Sequence, residues 1–431
     1  VPTEYAGNAT TPYRTRFDEL LNDEALLYWT GPSSQWAYIH VADIVETQQA
    51  FPNHELLIWD NYPVNDFAPH RLFLGPLVER EAGLEQHSSG FTANEMNQQE
   101  ASLLPLFTIA DFTWNPQAYD PERSWDAGLR EFGGEAYPAL RTFAENSRSS
   151  TIDGAESPRL KPLIDAFERA YRSGEDLDPG GHELDAEFGK VARAPAELRA
   201  KLDNARFLEQ AEGHLDKLEL YGSAGRTAID LLRAQGRLDR TAAWEARLAL
   251  EQARSRAREI PQEIAAGVVA PFLALAARES DSWLGTRWSD GIAEVTGGPP
   301  AAPSSALGQA ADRDVATVYR ADRAARPGES LTIALTEPRP LREVVILQDA
   351  EAPVPATVQL LGEDGTWTDI GELSGGATTV DADGLAATAV RLTWAGRDGA
   401  PAPRIHEVIP RYADALTADL TVDRPPALVA P

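Results

Sequence analysis

The sequence predicts a multidomain α/β chain, and three observations carry that prediction. Apolar strand-like runs alternate with longer helical patterns up to about Gly134, a long stretch rich in Ala, Leu, Glu and Arg follows, and the last part holds short β-type runs set off by turn residues. Alternation of the first kind is how a parallel sheet with crossover helices reads. The expected boundaries are residues 1–134 for the βα region, 135–296 for an α-helical bundle and 306–431 for an all-β sandwich.

In the first region the strands fall at Ala25 to Trp29, Glu55 to Trp59 and Ser89 to Ala93. The run Glu55-Leu56-Leu57-Ile58-Trp59 is short, apolar and closed by a proline-containing turn, the pattern of a buried strand in a parallel sheet. In the second region Leu208, Ala211, Leu215 and Leu218 recur at helical spacing. Gly213, Gly222, Gly225 and Pro261 are read there as turns or helix ends, and recur too often for a long coiled coil. The acidic stretch Gly174 to Gly181 is expected to be a loop, and Gly297 to Ser305, rich in Gly, Pro, Ala and Ser, a linker. Beyond it, Leu331 to Leu335, Val344 to Leu347, Thr357 to Leu361 and Ala389 to Trp394 are strand signals. Turn chemistry separates them at Glu363-Asp364-Gly365 and Ser374-Gly375-Gly376, and Asp381-Ala382-Asp383-Gly384 reads as a hairpin turn, too short for a calcium loop.

Composition narrows the function. A formal net charge of −28 without any offsetting basic block makes nucleic acid an unsuitable partner and disfavours a polyanionic substrate. The absence of cysteine removes disulfides, thiolate metal sites and thiol nucleophiles. No run of about 18 apolar residues is present, so no membrane-spanning helix is expected. The seven histidines form no His-Glu-x-x-His or similar spacing, which leaves no metal site to assign. Gly222-Ser223-Ala224-Gly225 lacks the spacing of a nucleophile elbow, and no glycine-rich phosphate cradle follows a strand. No cofactor is implied.

The most informative stretch is Ile58-Trp59-Asp60-Asn61-Tyr62-Pro63-Val64-Asn65-Asp66, where indole, amide and carboxylate groups crowd the exit of a strand, as they do where sugars are held. With it go Val1-Pro2-Thr3-Glu4-Tyr5, Trp29-Thr30-Gly31-Pro32, Arg71-Leu72-Phe73-Leu74-Gly75-Pro76 and Gly90-Phe91-Thr92-Ala93-Asn94-Glu95-Met96. In order and spacing these resemble the family 84 glycoside hydrolases, the β-N-acetylglucosaminidases that include O-GlcNAcases and some enzymes called hyaluronidases. Glu95 stands where that family commonly has proline. In the last region, Leu360 to Trp367, Val390 to Trp394 and Ile405-His406-Glu407-Val408 resemble a discoidin-type (coagulation-factor type C) module, which implies an accessory, carbohydrate-binding role.

The family resemblance implies that residues 1–134 are the C-terminal half of a (β/α)8 barrel. About four βα units are visible, counting a strand ahead of Pro2, whereas such a barrel has eight. Half a barrel leaves two unpaired strand edges. The chain is therefore expected to begin mid-barrel, with the missing N-terminal segment joined covalently or supplied as a companion chain. The resemblance further implies exo-cleavage of terminal β-linked N-acetylglucosamine with retention, the substrate's acetamide oxygen forming an oxazoline. Two aspartates assist that reaction from the strand before the Pro-Thr-Glu-Tyr motif, so no catalytic residue is expected here and the chain alone is expected to be inactive.

What remains is a substrate-binding set: Tyr5, Thr30, Trp59, Asn61, Asp66 and Asn94. By resemblance Tyr5 and Thr30 serve the acetamide pocket and Trp59 walls its methyl group, while Asp66 and Asn94 hold the sugar's remote hydroxyls and Asn61 suits a sugar hydroxyl or a neighbouring catalytic carboxylate. Five of the six have a plainer alternative when taken alone: a rim aromatic for Tyr5, a turn cap for Thr30, a core indole for Trp59, an Asx turn for Asn61 and an ion pair with Arg71 for Asp66. Asp60 and Asp111 receive no catalytic role, the first because it alternates with Trp59 and Asn61, the second because it has helical spacing. Two rival readings stand beside the enzyme: a non-catalytic carbohydrate-binding or adhesion protein, and an endo-hyaluronidase. The appended modules and an Arg-rich, Lys-poor composition lead us to expect an exported bacterial protein.

Overall fold

The computed structural model describes residues 11–286, 291–397 and 399–413. The chain divides into two compact units. The first comprises Val1–Pro162, Ala186–Ser223 and Arg256–Ala270, the second Leu163–Asp185, Ala224–Ser255 and Pro271–Pro431.

The first unit opens with helix α1 (Pro12–Leu20), strand β1 (Leu27–Trp29), helix α2 (Val41–Ala50) and strands β2 (Leu56–Pro63) and β3 (Phe91–Asn94). The three strands form one parallel sheet in the order β1-β2-β3, with Trp29 beside Ile58 and Ile58 beside Phe91. Parallel strands need crossover connections, and α2 supplies the first of them. β2 runs four residues past Trp59, because Asp60 pairs with Ala93 and Pro63 with Asn94 across a register shift, positions that the hydrophobic pattern alone hides.

The two faces of this sheet differ. Leu27, Trp29, Leu56 and Ile58 point to one side and form a core with Ile39, Ile44, Ala50 and Phe51. Tyr28 and Trp59, on the other side, are 47 % and 37 % exposed. Below the sheet, Asp60 is held in a buried, two-pronged ion pair by Arg80, at 2.7 and 2.9 Å. The long β2–β3 connection is itself buried through Leu72, Phe73, Leu74 and Leu77. Helices α3 (Gln99–Trp114), α4 (Pro121–Gly133) and α5 (Tyr137–Glu145) follow. The Trp125 indole donates to the Leu74 carbonyl and the Thr108 hydroxyl accepts from the Leu77 amide, so these helices fix that connection.

Five longer helices come next: α6 (Leu160–Ser173), α7 (Asp178–Lys201), α8 (Ala205–Gly236), α9 (Arg240–Glu259) and α10 (Val269–Leu284). Two sequence readings need correction here. Gly213, Gly222 and Gly225 lie inside α8 rather than at turns. At Gly222 the reason is packing, since a Cβ there would stand 2.3 Å from the Ala192 amide nitrogen of α7. The expected loop Gly174 to Gly181 is helical from Asp178 on. Pro261 does follow a helix end, that of α9.

The second unit carries strands β4 (Ile292–Gly297), β5 (Tyr319–Arg320), β6 (Ser330–Gln348), β7 (Ala356–Leu361), β8 (Trp367–Leu373), β9 (Ala377–Trp394) and β10 (Arg404–Tyr412). They form one sheet in the order β5-β10-β6-β9-β7-β8, with β4 on β6. The long strands β6 and β9 pair along both their halves, and register shifts interrupt them between Ala334 and Arg339 and between Leu341 and Glu343. Such bulges bend strands. Leu331 and Ile333 from one half of β6 and Val344 and Ile346 from the other share one core with Val358, Val390, Leu392 and Val408, so the sheet packs on itself. Asp381 to Gly384 is therefore a bulge within β9, with positive φ at Asp383 and Gly384, and not the hairpin turn expected. The expected linker Gly297 to Ser305 is also corrected: Tyr319 donates to the Pro299 carbonyl at 2.6 Å and Ala302 to that of Arg320, which ties the segment to the sheet.

Candidate functional site

Strands β1 to β3 all end on the same side of their sheet, and polar side chains gather there. The outlet of a parallel sheet at its carboxyl ends is where α/β proteins hold ligands. Trp59 donates its indole N–H to Asn61 Oδ1 at 2.8 Å, and Asn94 Nδ2 donates to the same oxygen at 3.0 Å. Asn61 Nδ2 donates in turn to the Ser34 carbonyl at 2.5 Å. Because an indole N–H can only donate, it fixes which end of the Asn61 amide is oxygen. One amide hydrogen on each asparagine and the Asn94 carbonyl oxygen have no partner among the described residues, which leaves donors and an acceptor for a ligand.

Trp59 thus forms part of the uncovered face, its ring edge-on to Tyr28 at 5.3 Å, and the core indole is Trp29 instead. The Thr30 hydroxyl donates to the Ser33 carbonyl at 3.4 Å, so it braces the turn after β1 while staying half-buried beside the cluster. Asp66 is exposed and makes no hydrogen bond or ion pair among the described residues. The alternative pairing with Arg71 is absent: Arg71 donates to the carbonyl and hydroxyl of Ser149 and lies over the Phe73 ring. The structure therefore joins Trp59, Asn61 and Asn94 in one network, leaves Asp66 free beyond the strand exit, and places Tyr5 outside the described residues.

Several residues that shape the site carried no signal in the sequence. Asn65, fully buried, donates to the Arg71 carbonyl and to Gln98 Oε1 and accepts from the Asn97 amide, which pins the loop bearing Asp66 to the turn after β3. Farther along, the His70 carbonyl accepts from His214 Nε2 of α8 at 2.9 Å and from the Glu263 amide at 2.7 Å. Burial lowers the His214 imidazole to about 4, so it stays neutral and keeps Nε2–H for that carbonyl. Residues far along the chain, His214 in α8 and Glu263 after α9, thus brace the Asp66 loop, and only three-dimensional proximity reveals them. Asp60 points away from the network into its pair with Arg80, and Asp111 is exposed on α3.

The carboxyl ends of this parallel βα sheet thus gather amide, indole and carboxylate groups. Residues 1–145 match the beta-N-acetylglucosaminidase family and residues 159–273 the hyaluronidase post-catalytic domain-like family. Protein O-GlcNAcase from Rattus norvegicus is 33% identical over 119 residues, 26% of this chain and 13% of the relative, and the Mus musculus protein matches equally. Among solved structures, CpGH84B superposes with a TM-score of 0.60 at 29% identity, covering 64% of this chain and 49% of that one. A mutant O-GlcNAc hydrolase of Thermobaculum terrenum superposes with a TM-score of 0.60 at 24% identity, covering 65% and 60%, and shows the shared fold. Over residues 1–145 and 159–273 the chain is thus similar to proteins of glycoside hydrolase family 84. It spans 13% of the length of the curated relatives it matches and about half of CpGH84B.

Proposed function

We propose that this chain supplies the sugar-binding half of an exo-β-N-acetylglucosaminidase that acts by substrate-assisted, retaining catalysis through an oxazoline. The observation that carries the reading is the Trp59–Asn61–Asn94 network on the exposed face of a parallel sheet, with Asp66 exposed three residues past the end of β2 and without a partner among the described residues. Trp59 offers apolar area to an acetamide methyl, Asn61 and Asn94 offer amide groups to ring substituents, and Asp66 accepts from two hydroxyls. Such groups reject sugars that leave them unpaired. In this reading Thr30 borders the acetamide pocket, and Tyr5 completes it.

The acid–base aspartates belong to further βα units that close the barrel, on the same or a companion polypeptide. The exposed Tyr28 and Trp59 side chains support that closure, because parallel sheets are normally covered on both faces. In this reading the folded sheet of the second unit is an accessory carbohydrate-binding module. The test is hydrolysis of a chromogenic β-N-acetylglucosaminide by the purified protein, with an intact-mass spectrum of the same sample. Turnover only when further barrel residues are present is expected. Turnover by a sample holding this polypeptide alone would overturn the placement of the acids.

A further inference from the structure

The segment that leaves β1 carries three aromatic rings toward solvent. Trp36 and Tyr38 are 37 % and 39 % exposed, and the His40 side chain is 48 % exposed. They alternate with Ala37 and Ile39, and Ile39 points into the core at 1 % exposure, so the rings share one face of an extended segment. Trp36 meets Tyr38 edge-on at 5.5 Å and 71°, and Tyr38 stacks on His40 at 4.7 Å and 19°. Contiguous exposed rings of this kind mark a recognition surface more often than a random one.

The backbone beneath the rings is held in place. Asn61, the centre of the sugar network, donates to the Ser34 carbonyl at 2.5 Å. Arg80, clamped by Asp60, donates to the Ala37 carbonyl at 2.9 Å and reaches that of Trp36 at 3.5 Å. The Ile39 amide donates to the Glu79 carbonyl, and the Ile39 carbonyl accepts from Glu81. The rings thus stand preorganised, Trp36 two residues on from the Ser34 contact.

We propose that Trp36 and Tyr38 form a subsite for the sugar to which the terminal N-acetylglucosamine is linked, so that the substrate class is a neutral oligosaccharide; this rests on the function proposed above. A pyranose has an apolar C–H face and a polar rim, which suits a flat ring edged by water. A peptide aglycone would call on backbone hydrogen bonds, but the carbonyls of Ser34, Trp36, Ala37 and Ile39 are already engaged. The net charge of −28 also repels an acidic aglycone.

The test is saturation-transfer NMR on the chain with thio-linked N,N′-diacetylchitobiose, which resists hydrolysis, and separately with an O-GlcNAc-modified peptide. In the unaltered chain both sugar rings of the disaccharide should receive saturation. Trp36→Ala, a surface truncation that leaves the core intact, should cut the reducing-end signal at least fivefold while the non-reducing ring keeps its own. An unchanged reducing-end signal in Trp36→Ala, or no saturation of that ring in the unaltered chain, overturns the subsite. A peptide signal lost to the same extent overturns the choice of sugar over peptide. Asp66→Ala separates the two readings: if it spares the non-reducing ring while Trp36→Ala erases the reducing-end signal, the pocket assignment fails and the subsite stands.

Discussion

The parallel sheet of β1 to β3 and the antiparallel sheet of β4 to β10 treat their inner faces in opposite ways. The antiparallel sheet bends at bulges in β6 and β9 and covers itself, so Leu331, Val344, Val390 and Val408 meet in one apolar core. The parallel sheet buries only the side bearing Trp29 and Ile58, and its other side presents Tyr28, Trp59, Asn61 and Asn94. A sheet that closes on itself has spent its apolar surface, whereas one that leaves an indole exposed among asparagines retains surface for something else. The same contrast appears in their buried carboxylates. Asp60 beneath the parallel sheet has Arg80 as partner, while Glu407 in β10 has none of normal geometry.

The largest effect expected from that comparison is on Arg80. Arg80→Met keeps much of the side-chain volume but leaves Asp60 charged and buried, which should cost about 3–5 kcal/mol of unfolding free energy. Chemical denaturation of the two proteins at neutral pH would measure it. The Ala37 and Trp36 carbonyls lose their donor in the same variant, so the segment carrying the exposed rings should loosen as well. A loss below about 1 kcal/mol would mean that Asp60 finds another partner or takes up a proton, and that the two sheets differ less than their geometry suggests.

Next in size is Asp66→Ala, assayed in the protein with its barrel complete. If Asp66 accepts from two sugar hydroxyls as proposed, its removal should lower kcat/KM for an N-acetylglucosaminide about a hundredfold, near 2.7 kcal/mol. Asp66 has no partner among the described residues, so its loss should barely move the melting temperature. A fall in stability with unchanged kcat/KM would assign Asp66 to the scaffold and remove it from the site.

The sequence made the parallel strands legible because each is a short run bounded by Gly or Pro, Gly31 after β1, Pro63 at the end of β2 and Gly90 ahead of β3, and it made Trp59, Asn61 and Asn94 stand out through the motifs around them. It did not reveal that β2 continues to Pro63, since polar residues at a strand exit look like a loop to any hydrophobic pattern. Nor did it reveal the Asp66 loop's supports. His214 reaches the His70 carbonyl across 144 positions, and no local periodicity encodes such a contact. In α8, glycine read as punctuation proved to be clearance for a neighbouring helix at Gly222. The bulge at Asp381 to Gly384 failed for a related reason: turn chemistry also serves a strand that must bend without ending.

The pH-dependent effect concerns Glu407. Its side chain is fully buried, and its oxygens face the Asp312 carboxyl and the backbone of Arg313 and Asp314 without closing a normal hydrogen bond. Burial, aided by the Asp312 charge, pushes its carboxyl up to about 9, so the native state holds a proton that the unfolded chain releases above about 4.5. Because the folded form then binds more protons, stability should fall as pH rises between those two values, by at most about 1.4 kcal/mol per pH unit, and level off beyond them. Glu407→Gln keeps the shape without the titrating group, so denaturation curves from pH 5 to pH 9 should lose that slope, with the variant gaining on the parent protein as pH rises. If Glu407→Gln instead retains the slope or is less stable at every pH, the carboxylate has a partner in solution, and the contrast between a paired and an unpaired buried acid does not hold.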